Sequence, residues 1–185
     1  GDEANMPFAV GGGIKSMRDI RQILENGAEK VILNTTTFEN PEFIKEAADS
    51  FGSSTIVVCL DIKKNIFGKY QLVYKNAQKI SKEDPAEFAQ KLELFGVGEI
   101  IIQSLDRDGT YLGYDIEIIK IISKAVSIPV VALGGARDYN DFNIAVNNGY
   151  ASAVAAGSLF VYHGPRRAVL ISFPTKNELK KIFYS

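Results

Sequence analysis

The sequence is poor in residues that bind metals or form covalent links. It contains one cysteine and one histidine among 185 residues. A lone cysteine excludes an internal disulfide and a cysteine-rich zinc site. Cys59 lies in an apolar run, where a buried thiol is more common than a nucleophile. His163 has no metal-ligand partner at a useful spacing, so we expect no metal and no other cofactor.

Clustered charge and long apolar runs are also missing. The formal net charge is −1, without a basic run, so we expect no nucleic-acid partner, which would need a clustered positive face. No apolar run approaches the roughly 20 residues of a membrane span, and no basic-then-apolar leader opens the chain. We therefore expect a cytoplasmic protein without a membrane partner. The apolar content of 46% and the length fit one globular domain.

One stretch occurs twice. Segments 7–14 and 129–136 each begin with proline, continue as a short apolar strand and contain paired glycines before a polar helix start. The two prolines are 122 residues apart, and so are Gly27 and Gly149. Twice this offset is 244 residues, close to the roughly 250 residues of a (β/α)8 barrel. The repeat predicts two equivalent units half a barrel apart.

Strands and helices alternate along the chain, which implies parallel pairing and right-handed crossovers. We predict an α/β fold of the (β/α)8 TIM-barrel type with only the last six βα units present, as a single incomplete domain over 1–185. The predicted strands are 8–10, 30–34, 55–60, 99–104, 129–133 and 151–157.

Two local features and one assembly property complete the fold prediction. Residues 35–38 are predicted as a loop. Gly68-Lys69 between two apolar stretches indicates a hairpin excursion near 62–76, above the barrel rim. An open sheet of six strands leaves two unpaired edges, so we expect self-association of the truncated barrel or instability of the chain alone.

The carboxyl ends of barrel strands carry active sites, and two sets of glycine and polar residues fall there. The helix starts that follow the glycine pairs offer free N–H groups to an anion, and glycine allows close backbone approach. Two phosphate-binding sites (here called grips) on opposite sides of one barrel opening predict a ligand with two phosphates. The alternative is that the glycines only make tight turns. The candidate phosphate-binding residues are Gly12, Gly13, Asn34 and Thr35 in one set, and Gly109, Gly134, Gly135, Gly157 and Ser158 in the other.

Carboxylates at the same strand ends are candidates for catalysis. Asp61 ends a buried strand and can act as a general acid or base if burial raises its pKa; the alternative is a loop-capping aspartate. Asp106, Arg107 and Asp108 leave two arrangements open, in which either carboxylate pairs with the arginine while the other faces the substrate. We favour Asp108, beside Gly109, as the site residue.

Lys30 and Glu99 directly precede apolar strands, so both belong at the bottom of the barrel. Two interpretations remain open for them: members of a charged ring that closes the floor, or a stabilising ion pair.

The motifs together resemble the cyclase subunit of imidazole glycerol phosphate synthase. The resemblance implies a barrel of two fused half-barrels that binds a bisphosphate. Ammonia from a glutaminase partner at the barrel bottom would pass through the core, and the products would be imidazole glycerol phosphate and an aminoimidazole carboxamide nucleotide, as in histidine biosynthesis. The matching segments are 10–14, 27–31, 34–35, 40–41, 51–53, 104–110, 113–115 and 134–136.

The resemblance also assigns roles to residues. Asp61 matches one of the family's two acid–base aspartates, and Asp108 matches a further active-site aspartate. The two glycine and polar sets match the two phosphate sites, and Lys30 and Glu99 match two members of the gate at the ammonia entrance. The other acid–base aspartate belongs to a first strand that has no match here, so we expect an N-terminally truncated barrel without turnover of its own.

Three departures from the family pattern favour alternatives. Leu133 stands where the family usually has serine, Gln103 replaces a small polar residue, and the tail 162–171 differs from the ordinary ending. These features resemble homologues that accompany sugar amidotransferases in surface-polysaccharide (lipopolysaccharide) pathways, where the barrel delivers ammonia for amidation of a sugar. An inactive phosphate-binding barrel fragment is the third possibility.

Overall fold

The computed structural model describes residues 6–164 and 167–184; Pro165 and Arg166 of the unusual tail lie outside the described residues. The strands are β1 Ala9–Gly11, β2 Lys30–Leu33, β3 Ile56–Lys64, β4 Tyr70–Tyr74, β5 Lys79–Ile80, β6 Glu99–Ser104, β7 Val130–Leu133, β8 Ala153–Ala155, β9 Tyr162–His163 and β10 Ala168–Val169. The helices are α1 Met17–Glu25, α2 Thr35–Glu39, α3 Pro41–Phe51, α4 Pro85–Leu94, α5 Ile116–Ala125, α6 Tyr139–Asn147, α7 Ser158–Val161 and α8 Lys176–Tyr184.

Six strands form a parallel sheet in the order β1-β2-β3-β6-β7-β8. Helices connect successive strands, and one face of the sheet packs on them. Alternate side chains of β2 and β6 point to that face and are almost fully buried: Val31, Leu33, Ile100 and Ile102. Burial of each of them stabilises the folded protein by about 1.5–3 kcal/mol. The curled half-barrel confirms the prediction of a partial (β/α)8 fold.

The 122-residue repeat is visible in the structure. Helices α1 and α6 begin and end at positions 122 residues apart, and so do their N-caps, Ser16 and Asp138. Strands β1 and β7 lie four places apart in the sheet order, which is half of an eight-stranded ring. The two glycine turns therefore open at the same, carboxyl edge of the sheet.

The loop predicted at 35–38 was wrong, because this segment is helix α2. Tertiary packing outweighs the weak helix propensity of its three threonines. Thr37 is fully buried, and the Phe38 ring stacks on Tyr74 and Phe88 with centroids 4.7 and 4.9 Å apart.

Strand β3 continues beyond Asp61 and pairs antiparallel with β4, which pairs with β5. The tight turn spans 65–69, because the Asn65 side chain accepts bonds from the N–H groups of Phe67 and Lys69. The Tyr70 hydroxyl oxygen lies 2.7 Å from Asp115 Oδ1 and 2.9 Å from Glu117 Oε2, and the two carboxylates share its single proton. These bonds hold the excursion against the start of α5.

Strands β1 and β8 end the path of the parallel sheet across the described residues. The self-association expected from such edges stays a prediction. Within 6–164 and 167–184, every helix is too short or too polar to cross a bilayer.

Candidate active site

A cavity of about 650 Å³ opens at the carboxyl ends of β1, β2 and β3. It gathers one complete set of the residues singled out from sequence, together with Asp61. The set consists of Gly12, Gly13, Asn34 and Thr35, and the cavity wall also includes Ile32, Cys59 and Gln103. A ligand in this cavity would contact the glycine turn and the candidate acid–base carboxylate together.

Asp61 lies in this wall in a half-buried setting. Burial raises the pKa of its carboxyl above the ordinary aspartate value, and hydrogen bonds from Asn34 and Cys59 act in the opposite direction. The Asn34 amide also donates to the Cys59 carbonyl at 3.1 Å, which fixes the end of β2 against β3. A carboxyl with a raised pKa holds its proton closer to neutral pH, as a general acid requires.

Cys59 lines the same cavity, two residues before Asp61 on strand β3. Its Sγ lies 3.9 Å from Asp61 Oδ1 and 3.8 Å from Gln103 Oε1. Burial, and then the Asp61 charge, raise the pKa of the thiol to about 12. It therefore stays a neutral thiol, in line with the expected absence of nucleophilic chemistry.

The second set of candidate phosphate-binding residues lines a separate, narrow recess at the ends of β7 and β8. Its wall contains Asp108, Gly109, Gly134, Gly135, Gly157 and Ser158. Tyr111 lies in the same wall and donates from its hydroxyl to the Ser158 carbonyl at 3.2 Å. The residues of this set are thus also neighbours, as the half-barrel repeat required.

Gln103 contacts residues of both the large cavity and the narrow recess. It lines the large cavity, pairs in register with Asp61 across the sheet, and its Nε2 lies 3.5 Å from Asp108 Oδ2. Sequence reasoning treated Gln103 only as a departure from a family pattern. Its position at the penultimate residue of β6, on the inward-facing phase shared with Glu99, could have identified it.

Capping carboxylates lie at the helix starts behind the two glycine turns. Asp19 accepts bonds from the N–H groups of Lys15 and Ser16, both at 2.9 Å, and Asp138 and Asp141 cap α6 in the same way. A carboxylate already occupies each positive helix end. The N–H groups of the turns and the nearby polar side chains are further candidates for phosphate binding.

The two glycine turns differ in what surrounds them. A Cβ added at Gly135 would lie 2.4 Å from the Gly113 carbonyl oxygen, whereas a Cβ at Gly12 or Gly13 would have nothing within 4 Å. Tight packing by itself requires glycine at position 135. At Gly12 and Gly13 a left-handed backbone, with φ of 104° and 70°, faces open space in the cavity.

The loop after β6 separates its two carboxylates. Asp106 accepts from the Lys64 backbone N–H at 2.6 Å and fastens the excursion, whereas Asp108 lines the recess. Arg107 donates to the Leu112 carbonyl at 2.8 Å. Among the described residues, no carboxylate of this loop lies within ion-pair distance of Arg107, so the expectation that one of them pairs with it was wrong.

Lys30 and Glu99 form an ion pair of 2.6 Å at the amino ends of β2 and β6, spanning the intervening β3. They lie at the opposite end of the strands from Asp61. Their contact fits both interpretations from sequence, a stabilising pair and a part of a charged floor. Among residues 6–164 and 167–184, His, Cys, Asp and Glu side chains form no cluster suited to a metal ion.

A family model described as "Histidine biosynthesis protein" matches residues 2–165. The chain belongs to this histidine biosynthesis family. The match covers every strand from β1 to β8, the whole parallel sheet that carries the site.

Three named relatives are 41–47% identical to this chain over the aligned residues. The chain is 42% identical over 177 residues to a putative imidazole glycerol phosphate synthase subunit hisF2 of Pseudomonas aeruginosa, covering 96% of the chain and 70% of the relative. It is 41% identical over 162 residues to subunit HisF of Alkaliphilus metalliredigens, covering 88% and 64%. It is 47% identical over 158 residues to subunit HisF of Lachnoclostridium phytofermentans, covering 85% and 61%. The chain thus spans 61–70% of the length of these relatives.

Proposed function

We propose that this chain is the cyclase barrel of an imidazole glycerol phosphate synthase. It binds a bisphosphate substrate across the sheet edge and uses ammonia from a glutaminase subunit. One observation carries the proposal: Gln103 lines the cavity that contains Asp61 and also contacts Asp108 in the recess. This contact supports a single ligand-binding edge that includes both candidate phosphate sites, each with a carboxylate.

Asp61 is the proposed acid–base residue. Its half-buried carboxyl holds a proton at a higher pH than an exposed aspartate does. A substrate lying on the Gly12-Gly13 turn would contact this carboxyl within the same cavity. Asp108 is proposed to orient the far half of the substrate, with Gln103 fixing its carboxylate by hydrogen bonding.

The proposed route for ammonia enters between Lys30 and Glu99. Directly above this pair the inward-facing side chains of β2 and β6 are Ile32 and Ile101, which alternate with the helix-facing ones. An apolar layer opposes charged species more strongly than neutral ones, so it would pass ammonia and retain ammonium. The relatives are named synthase subunits, which supports a second subunit.

Binding and turnover test the proposal separately. Calorimetry with the bisphosphate substrate of the synthase is expected to give one-to-one binding, weakened by Asp108→Asn. Asp106→Asn is the matched control, because Asp106 fastens the excursion and lines neither cavity. In a synthase whose cyclase barrel has all eight βα units, supplied with ammonium ions, Asp61→Asn is expected to retain substrate binding and lose turnover by at least about 100-fold.

Two results would contradict the proposal. Wild-type protein that binds neither the bisphosphate nor inorganic phosphate would remove the basis for both grips. An Asp61→Asn variant with full turnover would exclude this carboxyl as the acid–base group.

A further inference from the structure

The excursion contributes a wall to the large cavity that the glycine and polar set does not supply. Lys75, Asn76 and Gln78, from the loop between β4 and β5, line the cavity together with Gly12, Gly13, Asn34 and Thr35. This loop comes from a different part of the chain. It therefore adds side chains to the cavity wall that the strand ends themselves do not provide.

The backbone of this loop is strained. Lys75, Asn76 and Ala77 have φ values of 53°, 54° and 61°, so three consecutive residues other than glycine are left-handed. Each such residue costs about 1–2 kcal/mol. Strain of this kind persists where the surrounding structure enforces it, and it is concentrated at ligand sites.

The cation of this loop is held by an internal carboxylate. Lys75 forms an ion pair with Glu39, the last residue of α2, the helix that begins at Thr35. Lys15 lines the same cavity. The hydrogen bond from Lys75, and further the charge of Lys15, lower the pKa of Glu39 below its ordinary value. Two lysines, Lys15 and Lys75, and two carboxylates, Glu39 and Asp61, thus line the cavity, and Glu39 is the carboxylate that pairs with Lys75.

The excursion is strongly basic as a whole. Residues 62–82 contain six lysines, at 63, 64, 69, 75, 79 and 82, and no aspartate or glutamate. Lys75 is the lysine of this stretch that lines the cavity. The excursion therefore raises the electrostatic potential around a cavity whose glycine, amide and hydroxyl donors are neutral.

We propose that Lys75 and Lys15 bind the phosphate group of a phosphate ester in this cavity, and that Glu39 holds Lys75 until the phosphate replaces it. This inference rests on the proposed function and adds the cations that select a dianionic phosphate over a neutral or singly charged group. Exchange of one carboxylate for a phosphate keeps Lys75 paired in both states. Glu39 is therefore a competitor of the ligand.

Phosphate binding by the 185-residue chain tests the inference. Inorganic phosphate and glycerol 3-phosphate are titrated while amide resonances of Gly12, Gly13 and Thr35 are followed by NMR. Lys75→Gln is expected to weaken binding by about threefold to tenfold, and Glu39→Gln to strengthen it by a similar factor. Lys75→Arg is expected to restore most of the affinity, because it keeps the charge.

Lys69→Gln is the matched control, since it removes the same charge from the same excursion outside the cavity wall. Thermal unfolding checks that each variant is folded. If Lys75→Gln and Glu39→Gln bind phosphate as Lys69→Gln does, the inference is overturned while the proposed phosphate site formed by Gly12, Gly13, Asn34 and Thr35 stands. If wild-type protein shows no phosphate-dependent shift at these amides, both this inference and the proposed phosphate site are overturned.

Discussion

Alanine at Gly13 should mainly weaken ligand binding and alanine at Gly135 should mainly lower stability, although the two positions are equivalent in the repeat. At Gly135 the new Cβ would lie 2.4 Å from the Gly113 carbonyl oxygen and 2.8 Å from Arg107 Cβ. The bond from Gly113 N–H to the Gly135 carbonyl, 2.8 Å long, would also be strained. At Gly13 the Cβ would meet nothing within 4 Å.

The expected magnitudes follow from these contacts. Gly13→Ala should destabilise the folded protein by about 1–2 kcal/mol, because its only cost is the left-handed backbone at this position. Gly135→Ala combines that cost with overpacking and a weakened hydrogen bond, and we expect about 3–6 kcal/mol of destabilisation. For a chain of this size, 1 kcal/mol corresponds to roughly 2–4 °C in Tm.

Thermal and urea unfolding followed by circular dichroism measure the stability of both variants, and phosphate titration measures the site. Gly13→Ala should lose about tenfold or more in phosphate affinity, because its methyl group projects into the cavity where the turn would meet the ligand. Equal destabilisation by the two variants, or unchanged phosphate binding by Gly13→Ala, would refute the assignment of packing to one turn and binding to the other.

Three further predictions concern charged and hydrogen-bonded groups. Burial raises the pKa of the Asp61 carboxyl in the folded state. The contribution of this carboxyl to the free energy of unfolding is therefore complete below its pKa in the unfolded chain and is lost as pH rises through its pKa in the folded chain. Asp61→Asn should therefore raise Tm at pH 8 but not below about pH 4, and a gain independent of pH would contradict this. A double-mutant cycle of Lys30→Met and Glu99→Gln should give a coupling of about 1 kcal/mol that shrinks with added salt; zero coupling would mean that the 2.6 Å contact does not stabilise the fold. Tyr70→Phe removes a hydroxyl whose single proton is shared between carboxylates at 2.7 and 2.9 Å, which should cost about 1–3 kcal/mol in urea unfolding. An unchanged midpoint would show that the excursion is held by other contacts.

Much of the site could be predicted from sequence because barrel topology converts strand ends into neighbours. Asp61 and Asn34 follow different strands, yet parallel pairing of β2 and β3 brings both to one cavity. Sequence alone does not distinguish the role of Asp106 from that of Asp108, since two carboxylates two residues apart in a loop have no periodicity to separate them. The bond from Lys64 to Asp106 separates them, and that bond depends on where the excursion folds.

The sequence by itself determined the alternation of strands and helices, the 122-residue repeat and the two glycine turns, because these depend on local patterning and on positive φ. Only the tertiary structure decided that Thr35–Glu39 is helical, that Gln103 joins the two grips, and that Lys75 reaches the cavity. Each of these depends on a contact between segments distant in the chain. The register of the sheet and the path of the excursion fix such contacts, and neither leaves a periodic signal in the sequence.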